Sequence, residues 1–180
     1  KYPRDVQEVF LRFPDMYDAP EEDGDYRWAA AGGKHREGVG LDADVVIEDW
    51  EDAEEFFERF PSPDYPGLIP EFQKDGERYL LARWWYLYFE RLWSLRGMEN
   101  ALTDFYLYPD EVHRLFGKLT DFYERAMERA AKELDADGFF ASGDIGTQNS
   151  PFFSLEIFRE FFKPYYKRLC DKAHDLGMHF

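Results

Sequence analysis

One segment of the sequence gathers side chains that could do chemistry: Gly143-Asp144-Ile145-Gly146-Thr147-Gln148-Asn149-Ser150. Its glycines let a backbone approach a ligand closely. Asp144 supplies a carboxylate, and Thr147, Gln148 and Asn149 supply hydrogen-bond donors and acceptors. A plain loop in which Asp144 bonds nearby amides fits the same residues. No phosphate cradle is present, because neither Gly-x-Gly-x-x-Gly nor Gly-Lys-Ser/Thr occurs. Cys170 and His174 stand four apart and could share a helix face, but two ligands are too few for zinc. They read as a core thiol and a surface imidazole. His113 is expected on the outer side of its helix, His35 in a loop and His179 in a last strand, so no Ser-His-Asp arrangement can be built. Arg83 could hold a carboxylate bidentately. The aromatic band Trp84-Trp85-Tyr86-Leu87-Tyr88-Phe89 could line a pocket for a flat ligand, although a packed wall explains it more simply.

The elements that must position these residues follow from the apolar pattern. Residues 78–85 read as a buried strand after the Asp75-Gly76 turn, and residues 86–106 as helix interrupted at Gly97. Pro109 suits a first helical position, with Asp110 and Glu111 beside the positive helix end. From Val112 to Leu134 apolar residues recur at helical spacing, and Asp135 to Gly138 stops them. Residues 139–142 make a strand leading into the polar loop. Ser154 caps a further helix with a face from Leu155 to Leu176, kinked at Pro164 and ended by Gly177, before a strand opens at Met178. Alternation of strand and helix predicts parallel βαβ units, with chemistry on loops at the strands' carboxyl ends. The first 76 residues are rich in breakers; a short helix at 4–13, a strand at 39–47 and a helix at 50–60 are expected there. Residues 1–76 therefore form an acidic, loop-rich portion and residues 77–180 a βαβαβ segment. Because the last strand lacks a covering helix, the chain is expected to be a piece of a longer β/α protein.

Composition narrows the function. The 180 residues carry 38 acidic and 22 basic side chains, a net charge of -16, which excludes a generic phosphate-backbone binder of nucleic acid. Residues 1–76 hold 21 acids and 8 bases, against 17 and 14 in the rest. One cysteine excludes an internal disulfide framework. The longest apolar run, Tyr79 to Leu95, is interrupted by Arg83, Glu90 and Arg91 and falls short of a bilayer span of about 20 residues. Lys1 to Phe10 lacks the apolar run of a secretory leader, so a cytoplasmic location without membrane attachment is expected.

Several stretches, taken in order, resemble the uroporphyrinogen decarboxylase family. They are Leu95-Arg96-Gly97-Met98-Glu99-Asn100-Ala101-Leu102 with Tyr108-Pro109-Asp110-Glu111-Val112, then Asp137-Gly138, Gly143-Asp144-Ile145-Gly146-Thr147-Gln148, and Ser154 to Phe161. Lys163 to Arg168 and Ala173-His174-Asp175-Leu176-Gly177 complete the set. The resemblance covers residues 77–180 well and 46–67 loosely. It implies an α/β fold of the (β/α)8 barrel type, of which this chain would be a partial barrel. It also implies an enzyme acting on a small-molecule or tetrapyrrole-related substrate.

Family members include a cofactor-free decarboxylase of uroporphyrinogen in porphyrin biosynthesis and cobamide-dependent methyltransferases that hold zinc. The decarboxylase's Arg-rich N-terminal motif and the Asp-containing loop after it are not recognisable in residues 1–76. A net charge of -16 does not draw a polycarboxylate. Both points lean toward the methyltransferase branch, whose zinc ligands would lie beyond Phe180 and whose partner would be a corrinoid protein. Asp144 is the expected catalytic residue, with Gln148, Thr147, Asn149 and Arg83 binding substrate. A non-catalytic ligand-binding barrel is the third reading. Alone, the chain is expected to be an inactive, metal-free, salt-sensitive oligomer.

Overall fold

The computed structural model describes residues 5–12, 47–58 and 60–180. Three strands, β1 (Val6–Phe10), β2 (Tyr79–Trp84) and β3 (Gly138–Ala141), form one sheet in the order β1-β2-β3, parallel throughout. Val6 pairs with Tyr79 and Phe10 with Arg83, while Leu81 pairs with Gly138 and Trp84 with Ala141. A parallel bridge from Gly138 to His179 continues the sheet beyond β3, as residues 178–180 were expected to do. The fold is therefore α/β with a parallel sheet, and β1 comes from the acidic N-terminal portion.

The expected helix at 4–13 is corrected by β1. Parallel pairing of all five β1 residues with Tyr79–Arg83 gives this backbone its hydrogen-bond partners, which outweighs the local apolar spacing. The expected strand at 39–47 falls outside the described residues except for Ile47, a buried loop residue whose N–H donates to the Leu95 carbonyl at 2.9 Å. The expected helix at 50–60 is a single tight turn, Trp50–Asp52, followed by α1 (Glu54–Glu58).

Alternation along β2 separates two faces. Leu80, Ala82 and Trp84 are fully buried, and the Trp84 ring meets Phe122 and Tyr123 at 5.5 and 5.8 Å between centroids. Both partners belong to α4 (Pro109–Leu134), whose buried stripe runs from Val112 to Leu134 as its spacing predicts. Pro109 opens this helix, and Asp135, in the left-handed region at φ 52°, closes it. Before it, α2 (Tyr88–Arg96) and α3 (Met98–Leu107) meet at Gly97, whose φ of 77° lets the chain break and restart within one residue.

Ser154 caps α5 (Leu155–Ile157), its hydroxyl accepting from the Ile157 N–H at 3.3 Å. Residues 158–162 then widen into a π-helical turn, with the Lys163 N–H bonding five residues back to Phe158, and α6 (Lys163–Asp175) follows. Pro164, which has no N–H and would crowd the carbonyl four residues earlier, is accommodated in the first turn of α6 rather than inside an unbroken helix. No described helix is long and apolar enough to cross a membrane.

Two buried arginines hold the irregular segment before β2. Arg96 bonds both oxygens of Asp104 at 2.7 and 3.1 Å and the carbonyls of Ile47 and Glu48 at 2.7 Å each. The Trp50 indole N–H completes Asp104 at 3.0 Å. Arg129 of α4 donates to the Pro63 and Tyr65 carbonyls at 2.9 and 2.7 Å. These side chains supply the polar partners that a sheet or helix would otherwise give this backbone.

The side chains of Arg96 and Asp104 are 5% and 1% exposed, so removing one charge strands the other. Asp104→Asn is expected to lower unfolding free energy by about 3–5 kcal/mol. Urea denaturation checks this, and a loss below about 1 kcal/mol, ordinary for an exposed pair, would refute it.

Candidate functional site

Because the three strands are parallel, their carboxyl ends share one edge of the sheet. Between β2 and α2 only Trp85, Tyr86 and Leu87 intervene. The turn is tight enough to hold Tyr86 at φ 60°, a left-handed conformation that a bulky residue adopts at a cost of about 1–3 kcal/mol. Three contacts hold it. The Leu87 N–H donates to the Ser142 carbonyl at 3.0 Å, the Ser142 N–H donates to the Trp84 carbonyl at 3.1 Å, and the Tyr123 hydroxyl donates to the Tyr86 carbonyl at 3.0 Å. The turn after β2 is thereby tied to the loop after β3.

That tie brings the first turn of α2 against the loop that carries Asp144. Glu90 is half-buried, and the backbone N–H groups of Asp144 and Tyr86 approach its carboxyl. Its Oε2 is shielded from solvent and has no hydrogen-bond partner. A side chain at Gly143 would place its Cβ 3.2 Å from Leu87 Cβ, 3.3 Å from the Tyr166 hydroxyl and 3.9 Å from Glu90 Oε2. Glycine lets the loop pass this close to Leu87 and the Tyr166 hydroxyl, where a Cβ would be crowded. Burial, and then the neighbouring Asp144 carboxylate, push the Glu90 carboxyl above its ordinary range. Burial also pushes the Tyr166 phenol up to about 12, so it remains a hydrogen-bond donor through the neutral range.

The residues expected from sequence divide between this edge and one face of the sheet. Asp144, Thr147, Gln148 and Asn149 all lie exposed in the loop that follows β3. Thr147 supports the loop itself: its hydroxyl donates to the Ser150 carbonyl at 3.2 Å and faces the N–H groups of Asn149 and Ser150 at 3.2 Å. Arg83 is on the sheet face opposite α4, one residue before β2 ends. It bonds Glu8 at 2.8 Å and lies 4.6, 5.2 and 4.7 Å from the ring centres of Phe10, Trp85 and Phe140. Within the aromatic band Trp84, Tyr88 and Phe89 are buried as wall, whereas Trp85 is 40% exposed beside Phe10 and Phe140.

Histidine placement differs in one case. His113 is not on an outer surface: it stacks on Phe161 at 4.6 Å and meets the Tyr165 hydroxyl at 2.9 Å between α4 and α6. His179 stacks on Tyr79 across the sheet, its Nδ1 2.9 Å from the Tyr79 hydroxyl. Cys170 is half-buried and His174 exposed, and burial pushes the Cys170 thiol up, away from the thiolate that a metal needs. Among the described residues no three His, Cys, Asp or Glu side chains converge, so zinc does not fit this donor set.

Sequence reasoning missed Glu90. Its signal was present, as a Glu-Arg pair inside the most apolar run of the chain. Because ionisation of a shielded Glu90 opposes folding, its favourable contribution is full below its ordinary value of 4.5 and is lost as pH rises through the higher folded value. Glu90→Gln is therefore expected to raise the melting temperature at neutral pH, the gain vanishing below about pH 4.5. Thermal melts across pH check this, and an equal or lower melting temperature at neutral pH would contradict it.

No curated protein and no solved structure gives a significant match to the chain. The family model of uroporphyrinogen decarboxylase (URO-D) matches residues 92–180, from the middle of α2 through the Asp144 loop and α6. Residues 92–180, just under half of the chain, are thus similar to the uroporphyrinogen decarboxylase family.

Proposed function

We propose that this chain carries the strand-end site of a (β/α)8 enzyme acting on a tetrapyrrole-related substrate, in the cobamide-dependent methyltransferase branch of the family. The observation that supports this branch is the commitment of Arg83. Its guanidinium is already bonded to Glu8 and packed against three rings. A polycarboxylate needs uncommitted cations at the strand ends, and the loop offers instead the Asp144 carboxylate close to Glu90, in a chain of net charge -16. Exposed Gln148 and Asn149 suit a tetrapyrrole bearing neutral carboxamide arms, because an amide can both donate to and accept from another amide.

In this reading the methyl group arrives on a corrinoid held by a partner protein. The chain's own residues act on its periphery and on the acceptor. Gln148 and Asn149 orient the ring's arms, Asp144 accepts hydrogen bonds from donors at the strand ends, and the apolar face around Trp85 excludes water. Since zinc does not fit the described residues, no metal step is assigned to them. One observation favours decarboxylation instead: Arg83 Nε is buried without a hydrogen-bond partner. If Glu8 released the guanidinium, Arg83 could clamp a substrate carboxylate, while Asp144 would bond pyrrole N–H groups and stabilise the cationic protonated intermediate.

Equilibrium dialysis of the full chain against methylcobalamin and against uroporphyrin separates the two. Cobalamin should bind, Gln148→Ala should weaken it about tenfold, as loss of one good hydrogen bond does, and uroporphyrin should bind more weakly. Tighter binding of uroporphyrin would assign the decarboxylase branch, and binding of neither would overturn the substrate class. In the protein that carries this sequence, Asp144→Asn should abolish turnover while leaving the melting temperature within a few degrees of the parent. Unchanged turnover would return the loop to a structural role.

A further inference from the structure

We propose that Glu90 is the group that holds and exchanges the proton of the strand-end site, with the exposed side chain of Asp144 beside it. This rests on the reading of the strand ends as an active site, and it adds an acid–base pair to that reading.

The geometry carries the assignment. Glu90 stands in the first turn of α2, at the carboxyl end of the central strand, while Asp144 occupies the equivalent end of β3. The two carboxyl groups differ in surroundings. Asp144 is exposed, whereas Glu90 Oε2 is shielded and lacks any hydrogen-bond partner. A shielded carboxylate oxygen without a donor is unfavourable, and the same oxygen carrying a proton is not. A carboxyl group in such a shielded place, beside another carboxyl group, keeps its proton to higher pH than one in water.

The loop approaches Glu90 Oε2 at Gly143. Gly143 contributes no side chain there, and the Tyr166 hydroxyl comes as close to the same glycine. The titratable and charged groups facing Glu90 are Asp144 from the β3 loop, Arg91 from α2 and Tyr166 from α6, with the backbone N–H of Tyr86 from the turn after β2. Asp144 favours the protonated form, and the Arg91 charge and the backbone N–H groups of Asp144 and Tyr86 favour the ionised one. Glu90 is thus supported in both states, as a group that gives up and regains a proton must be. In the transfer the O–H bond of the Glu90 carboxylic acid breaks and its electron pair stays on oxygen. The proton bonds to a basic atom of the substrate, and the carboxylate rests on the two backbone N–H groups until a proton from water or product restores it.

Carbon-13 carboxyl NMR on the full chain tests the proton assignment without any substrate. The resonance that disappears in Glu90→Gln should titrate with a midpoint above 4.5, and Asp144→Asn should move that midpoint downward. A Glu90 midpoint at or below 4.5, or one indifferent to Asp144→Asn, would overturn the proposal whatever the enzyme acts on. Turnover by the protein that carries this sequence supplies the second readout. Glu90→Gln should lower kcat about 10²-fold or more, remove the alkaline limb of the pH profile and leave methylcobalamin binding unchanged. Wild-type kcat in that variant would also overturn it, whereas normal titration changes with no cobalamin binding would fault only the substrate class.

Discussion

Parallel pairing of the central strand is the constraint on which the remaining structure rests. An antiparallel neighbour would alternate strand starts and strand ends along each edge of the sheet. With β1, β2 and β3 all running the same way, every segment that leaves a strand does so on one edge. The turn into α2 and the loop before α5 therefore have to meet, and the Leu87–Ser142 and Ser142–Trp84 backbone bonds are where they do. Tyr86 accepts an unfavourable backbone conformation so that α2 can start within three residues of the strand, which brings Glu90 beside the Asp144 loop. The local strain is offset by the depth of packing beneath it, where Trp84 and Tyr88 are buried against Tyr123 of α4.

Charge is handled in two ways. Two buried cations are structural: Arg96 and Arg129 satisfy the carbonyls of segments that lack regular hydrogen bonding. On the sheet face opposite α4, Arg83 is stacked among Phe10, Trp85 and Phe140 and paired to Glu8. An aromatic surround of this kind holds a cation without many hydrogen bonds. Glu90 lies at the boundary between these environments, shielded like the structural arginines yet bordering an open loop. That position, rather than its residue type, is what separates it from the many surface carboxylates of the chain.

Most of the architecture after residue 77 was legible because its signals are local. Pro109 and the apolar spacing of α4, Ser154 before α5, and the breaks at Gly97 and Asp135 each reflect a constraint acting within a few residues. β1 was not legible for the opposite reason. Val6 and Phe10 face one side of the sheet and Val9 the other, and both sides carry apolar neighbours, so the alternation of a half-exposed strand is blurred into helix-like spacing. Only its distant partner β2 decides the matter. His113 likewise reads as exposed until α6 is placed against it. The loop carrying Asp144 could be found from composition, but Glu90 could not be joined to it, since 54 positions separate them in a sequence that gives no register.

The central claim is that the loop at Gly143 packs closely against Leu87, Glu90 and Tyr166 at the strand ends. Nuclear Overhauser contacts from the Gly143 α-protons in the full chain measure this directly. The account predicts cross-peaks from these protons to the Leu87 β-protons and the Tyr166 ring, with Glu90 side-chain protons nearby, consistent with separations of 3.2–3.9 Å from a Cβ built at that position. Cross-peaks confined to the residues of the loop itself would contradict it, because Glu90 and Asp144 would then belong to separate surfaces.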